Sequence, residues 1–235
     1  MQNCIIASTS TIHGSTYLEY LLEPLKKLWS GIGEILFIPY ARPSGISHDN
    51  YTAIAAKALS QIDKKVIGIH TYSDPKEAIN NAKAIFTGGG NTFVLVKALH
   101  NHELMVPLKK TIITGTPYLG TSAGSNICGL TMQTTNDMPI VHPSSYQTLG
   151  ILPFNINPHY LDTDANSTHK GETRETRIKE YHAYNTAPVI GLREGSWLRV
   201  SENKIYLRGG LSVRIFEQGK TPYELENTSD LSDLQ

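Results

Sequence analysis

The chain has 235 residues, 21 Lys+Arg against 21 Asp+Glu, 40% hydrophobic residues and two cysteines. A zero formal charge leaves no net basic field to neutralise phosphates, which argues against a charge-driven nucleic-acid binder. At about 100–200 residues per domain the length suits one large domain, big enough to bury a core without disulfides. Cys4 and Cys128 cannot build a disulfide framework, their spacing suits no zinc motif, and they read as small buried thiols. Met1-Gln2-Asn3 lacks the basic start of a secretory signal, and no apolar run approaches the roughly 18 residues of a membrane helix. The expectation is a cytoplasmic protein with neither a nucleic-acid nor a membrane partner. Two glycosylation-type triplets, Asn166-Ser167-Thr168 and Asn227-Thr228-Ser229, carry no weight in such a compartment.

Short apolar runs alternate with helical patterns along the first half. Cys4–Ala7 reads as a strand ending in Ser8-Thr9-Ser10. Tyr17–Trp29 has leucines at helical spacing. Ile35–Ile38 is a strand stopped by Pro39, and His48–Leu59 an alanine-rich helix. Val66–Ile69 and Ala84–Phe86 are strands either side of a short helix at Pro75–Ala82. Helices follow at Asn91–His100 and Leu104–Ile113. Pro117–Gly120 is a strand, and a helix begins near Ser125. This alternation predicts βαβ units and a mostly parallel sheet flanked by helices on both faces. Strands in such a sheet are covered on both sides, so they should be almost wholly apolar, as these are.

The second half is less regular. Thr134–Ser145 carries two prolines and little periodicity. Phe154–Asn157 is a short strand, Glu172–Tyr184 a charged helix and Val189–Leu192 another strand. Trp197–Val200 and Lys204–Leu207 form a hairpin, and Ser212–Phe216 adds a strand. Residues 1–225 are expected to form a single α/β domain with a C-terminal β extension. Residues 226–235 read as a polar, frayed tail.

Ligand groups in open α/β sheets cluster beyond the carboxyl ends of the strands. There the sequence places Gly120-Thr121-Ser122-Ala123-Gly124, a G-x-S-x-G turn from strand to helix. Small neighbours let the backbone fold back and lift the Ser122 hydroxyl above the sheet, with the Ala123 N–H free for an oxyanion. A second loop, Gly88-Gly89-Gly90-Asn91-Thr92-Phe93, also follows a strand. It lacks the third glycine of a dinucleotide loop and the Gly-Lys-Ser/Thr of a phosphate loop. Gly89 and Gly90 instead read as the other half of an oxyanion hole. A serine needs a base, and His159 in Asn155-Ile156-Asn157-Pro158-His159 stands out among nine histidines. Asp137 and Glu194 are both candidates to orient it, and spacing does not choose between them. No spacing suggests a metal site or a cofactor.

Five segments in this order resemble the peptidase E (α-aspartyl dipeptidase) family: 88–93, 122–124, 134–141, 156–159 and 171–175. The resemblance runs from the N-terminus to about Phe216. It implies a fold similar to class I glutamine amidotransferase domains, with serine where those carry cysteine. It also implies a serine peptidase cleaving dipeptides with an N-terminal aspartate, with Ser122 as nucleophile, His159 as base and Glu194 as the acid. Asp137 then becomes a supporting or substrate-ordering group. The substrate carboxylate calls for a bidentate cation, and Arg174 is the leading candidate. A monomer or homodimer is compatible with all of this. The alternatives are another serine acyl hydrolase (an esterase, or one cleaving isoaspartyl or cyanophycin-type bonds) and a non-catalytic binder of a small anion on the same fold.

Overall fold

The structure is a computed structural model that describes residues 2–43, 45–163 and 171–234. The triplet Asn166-Ser167-Thr168 lies outside the described residues. The elements run β1 (Asn3–Ala7), α1 (Leu22–Leu28), β2 (Glu34–Ile38), α2 (His48–Leu59), β3 (Lys65–Gly68), α3 (Pro75–Asn81), β4 (Ile85–Thr87), α4 (Thr92–Asn101), α5 (Met105–Ile113), β5 (Tyr118–Thr121) and α6 (Ala123–Asn126). Then come β6 (Asn155–Pro158), α7 (Arg174–Tyr181), β7 (Val189–Leu192), β8 (Trp197–Ser201), β9 (Lys204–Arg208), β10 (Val213–Phe216) and β11 (Tyr223–Leu225).

Helix starts follow their capping residues. Ser47, Asp74, Asn91 and Thr173 each accept a hydrogen bond from a backbone N–H of the first turn of α2, α3, α4 and α7. Pro75 opens α3, where its missing N–H costs nothing. The helix expected over Tyr17–Trp29 is shorter. Leu18 is left-handed, Glu19–Leu21 is a 3₁₀ turn, and the α-helix begins at Leu22. Pro24 explains this. Inside a longer helix its ring would strike the carbonyl of Tyr20, whereas in the first turn it is tolerated.

The main sheet has seven strands in the order β3-β2-β4-β5-β1-β8-β9. The pairings from β3 to β1 are parallel, and β8 and β9 extend the sheet antiparallel. Side chains alternate across each strand; in β1, β2, β4 and β5 both sets are buried, whereas β8 and β9 bury alternate residues only. Ile5, Ala7, Ile35, Phe37 and Phe86 pack with Leu25 of α1 and Tyr51 and Ala55 of α2. Cys4, Ile6, Leu36, Ile38 and Ile85 face α3, α4 and α5 through residues such as Ile79, Leu95 and Leu108. Burial pushes the Cys4 thiol up to about 12 and raises Cys128 well above the ordinary thiol range, so both stay protonated.

A second sheet has the order β11-β10-β7-β6, with β6 and β7 parallel. Ile156, Ile190, Leu192 and Ile215 from this sheet belong to the same buried cluster as Cys4 and Ile6. The C-terminal strands thus divide, β8–β9 widening the first sheet and β10–β11 completing the second. The polar ending read as frayed is docked instead. Leu231 is 1% exposed, its N–H donates to Ile205 O (2.8 Å), and Leu207 N–H donates to Ser229 O (3.0 Å). One buried leucine and these bonds along β9 outweigh the polar composition of the segment.

Candidate active site

Five strand ends converge. In the main sheet the parallel registers Thr87↔Gly120 and Ala7↔Thr121 set the carboxyl ends of β4, β5 and β1 side by side. In the second sheet Pro158↔Leu192 does the same for β6 and β7. The residues just past these ends are Gly88–Gly90, Ser122, Ser8, His159 and, two beyond β7, Glu194.

Ser122 sits on the turn between β5 and α6 with φ 54° and ψ −111°, a conformation uncommon for a residue with a side chain. Such strain costs about 1–3 kcal/mol and persists only where the surroundings over-determine it. Here they do. A Cβ on Gly124 would lie 2.1 Å from Thr87 O, and one on Gly120 would lie 2.3 Å from Gly124 O. The glycines let α6 start against β4 and force the chain back over itself. Ser122 N–H donates to Ala7 O (3.1 Å), which ties the turn to β1.

The Gly88–Gly90 loop lies against this turn. A Cβ on Gly89 would stand 2.9 Å from Ser122 Cβ and 3.5 Å from its Oγ. Among the described residues, the N–H groups of Gly89, Gly90 and Ala123 have no backbone acceptor. Unpaired backbone donors beside a serine hydroxyl are what an oxyanion requires.

His159 carries φ 53°, and its ring bridges two groups. Nδ1 lies 2.6 Å from Glu194 Oε1 and Nε2 lies 2.9 Å from Ser122 Oγ. A carboxylate can only accept, so Nδ1 carries the proton and Nε2 accepts from the serine hydroxyl. The His159 and Glu194 side chains are 37% and 48% exposed, so the site is open to solvent on this side.

Asp137 stands elsewhere. Its Oδ2 accepts from Thr92 N–H (2.7 Å), Thr92 Oγ1 (2.6 Å) and Thr135 Oγ1 (3.0 Å). A carboxylate there satisfies an orphan N–H and favours the positive end of the α4 dipole. Asn91 Nδ2 donates to Met138 O (2.9 Å) and Asn136 Nδ2 to Pro158 O (2.7 Å). The irregular 134–138 stretch is therefore a strap between the glycine loop and the residue preceding His159.

Arg174 is the first residue of α7 and is half-buried. Burial and the neighbouring Arg177 press its guanidinium pKa down, and Asp137 works against them. It makes no ion pair with any other described residue.

Residues 4–208 match the sequence profile of peptidase family S51. The chain belongs to this family. Among curated S51-like relatives, Peptidase E of Streptomyces coelicolor is 47% identical over 232 residues, covering 99% of this chain and 94% of that protein. A Drosophila melanogaster protein named "Probable alpha-aspartyl dipeptidase" is 42% identical over 236 residues, covering 99% and 97%. The crystal structure of a peptidase from an acI-B1 Actinobacterium aligns with TM-score 0.72 at 18% identity, covering 98% of this chain and 96% of that one, which supports the fold.

Two groups of this S51 chain escaped sequence reasoning. Arg193, beside Glu194, pairs bidentately with Asp162 (2.8 and 2.7 Å) and reaches Glu224 (2.9 Å), three residues beyond His159 on one side and β11 on the other. Burial pushes the Glu224 carboxyl up, but hydrogen bonds from Arg193, Ser212 and Arg214 outweigh it and hold it near 2. The other is Ser8, whose only signal was its place at a strand end. Among the described residues no helix is long and apolar enough to cross a membrane.

Proposed function

We propose that this S51 protein is a serine-type α-aspartyl dipeptidase that hydrolyses Asp-Xaa dipeptides through an acyl-enzyme on Ser122. One observation carries the reading: the contact chain from Ser122 Oγ through His159 (2.9 Å) to Glu194 (2.6 Å). In this reading His159 Nε2 takes the Ser122 proton as Oγ attacks the peptide carbonyl carbon. The oxyanion is held by the Ala123 N–H and by an N–H of Gly89 or Gly90. Glu194 stabilises the imidazolium. His159 then gives its proton to the leaving amine, and the second amino acid departs. Water, deprotonated by His159, attacks the ester and releases aspartate.

Asp137 is a supporting group in this proposal, anchoring the start of α4 and with it the glycine loop. Arg174 is the cation for the substrate's aspartate carboxylate, supported by its half-buried place and by its lack of an ion pair among the described residues. The likeness to class I glutamine amidotransferase domains, a cytoplasmic location and a monomeric or dimeric state belong to the same proposal. The test is Arg174→Ala assayed on Asp-Leu and Asn-Leu. Loss of a charge-assisted contact worth about 1.5–3 kcal/mol predicts a kcat/KM drop of roughly 10–100-fold on Asp-Leu alone. An equal loss on both substrates would contradict the assignment.

A further inference from the structure

We propose that Ser8 is a positioning residue that holds the segments bearing Ser122, His159 and Glu194 in register. This rests on the reading of those three as the catalytic groups. Ser8 follows β1, whose end lies between β5 and β8, and is fully buried at 0% exposure. Its Oγ donates to Leu192 O (2.7 Å) and accepts from His159 N–H (2.9 Å). Its own N–H donates to Ser196 O (3.0 Å), and the preceding carbonyl, Ala7 O, accepts from Ser122 N–H (3.1 Å). One dipeptide therefore contacts the nucleophile's backbone, the base's backbone, and both sides of the Arg193–Gly195 turn that carries Glu194.

The hydroxyl has one proton and two lone pairs. Leu192 O can only accept, so the proton goes there and a lone pair remains for His159 N–H. That N–H points away from the β6–β7 ladder, whose final pair is Pro158↔Leu192. The left-handed φ of 53° at His159 is uncommon for a residue with a Cβ, and the bond from its N–H helps to hold it. A second tether, Asn126 Nδ2 to Ile156 O (2.8 Å), joins the sheets three residues upstream and does not reach the base. Without the Ser8 hydroxyl, the Pro158–His159 peptide keeps its carbonyl bond from Asn136 Nδ2 (2.7 Å) but loses the acceptor for its N–H, so it can tilt and swing the imidazole off the serine.

The test uses purified Ser8→Ala and Ser8→Cys, the second filling the same space with a weak hydrogen-bonding group. Each is assayed on Asp-Leu per folded molecule, with Ser122→Ala in parallel. A displacement near 1 Å costs about 10²-fold, so kcat is expected to fall roughly 10–100-fold, with KM within about twofold and unchanged circular dichroism. A wild-type kcat in the variants, with Ser122→Ala inactive, overturns the role of Ser8 alone. So does failure of both variants to fold, which would leave Ser8 a purely structural residue. Activity retained in Ser122→Ala would instead overturn the reading of the site.

Discussion

Ser122→Ala is expected to lower kcat on Asp-Leu by about 10⁶-fold, the scale seen when a triad serine is removed and only binding and the oxyanion hole remain. The fold should persist. Alanine keeps the Cβ, and the φ of 54° at residue 122 is imposed by the close packing of Gly120 and Gly124 rather than by the hydroxyl. A fluorophosphonate should label the native protein at Ser122 and leave the variant unlabelled. The expectation depends on activation by His159, since a serine hydroxyl is a weak nucleophile without an adjacent base. Labelling at another serine, or cleavage at the native rate by the variant, would contradict it.

Glu194→Gln and Asp137→Asn should behave differently. The amide in Glu194→Gln can present a donor to Nδ1, which favours the tautomer that cannot accept the Ser122 proton. In a serine protease triad the equivalent change costs about 10⁴-fold in kcat. Asp137→Asn removes a charge from the α4 start and weakens the acceptor that Thr92 N–H and both threonine hydroxyls share. Loss of an N-terminal helix contact is worth about 0.5–2 kcal/mol, so a lower Tm is expected, with kcat within roughly tenfold. The reverse pattern, with kcat collapsing in Asp137→Asn and surviving in Glu194→Gln, would make Asp137 the orienting acid.

The G-x-S-x-G turn and the glycine loop were legible in the sequence because both depend on local chemistry, small residues between a strand and a helix. His159 was legible for a similar reason, as a histidine directly after an apolar strand. Spacing alone did not place Glu194 rather than Asp137 beside His159, a choice that only the family resemblance offered, because the contact depends on β6 and β7 lying parallel, a pairing between segments 34 residues apart at Asn155 and Val189. Ser8 was harder still: its contact with His159 spans 151 positions, and nothing near it in the chain records the partner. The tail misled for the opposite reason. Its composition is polar, and its placement depends on one leucine, Leu231, meeting β9. Pro24 was visible throughout, and its position alone shortens α1.

Hydrolysis of a matched panel, Asp-Leu, Glu-Leu, Asn-Leu and the β-linked Asp-Leu isomer, separates an α-aspartyl dipeptidase from a broader serine hydrolase. In the proposed site, Arg174 holding the carboxylate and Ser122 Oγ attacking the carbonyl would together select one spacing between the two groups. Glu-Leu adds a methylene to that distance, Asn-Leu removes the charge, and the β-linked isomer moves the scissile bond. The expected result is kcat/KM highest for Asp-Leu by at least about tenfold over each of the others, abolished in Ser122→Ala. Cleavage of Glu-Leu or the β-linked isomer as fast as Asp-Leu would contradict an α-aspartyl dipeptidase and point to a broader serine hydrolase.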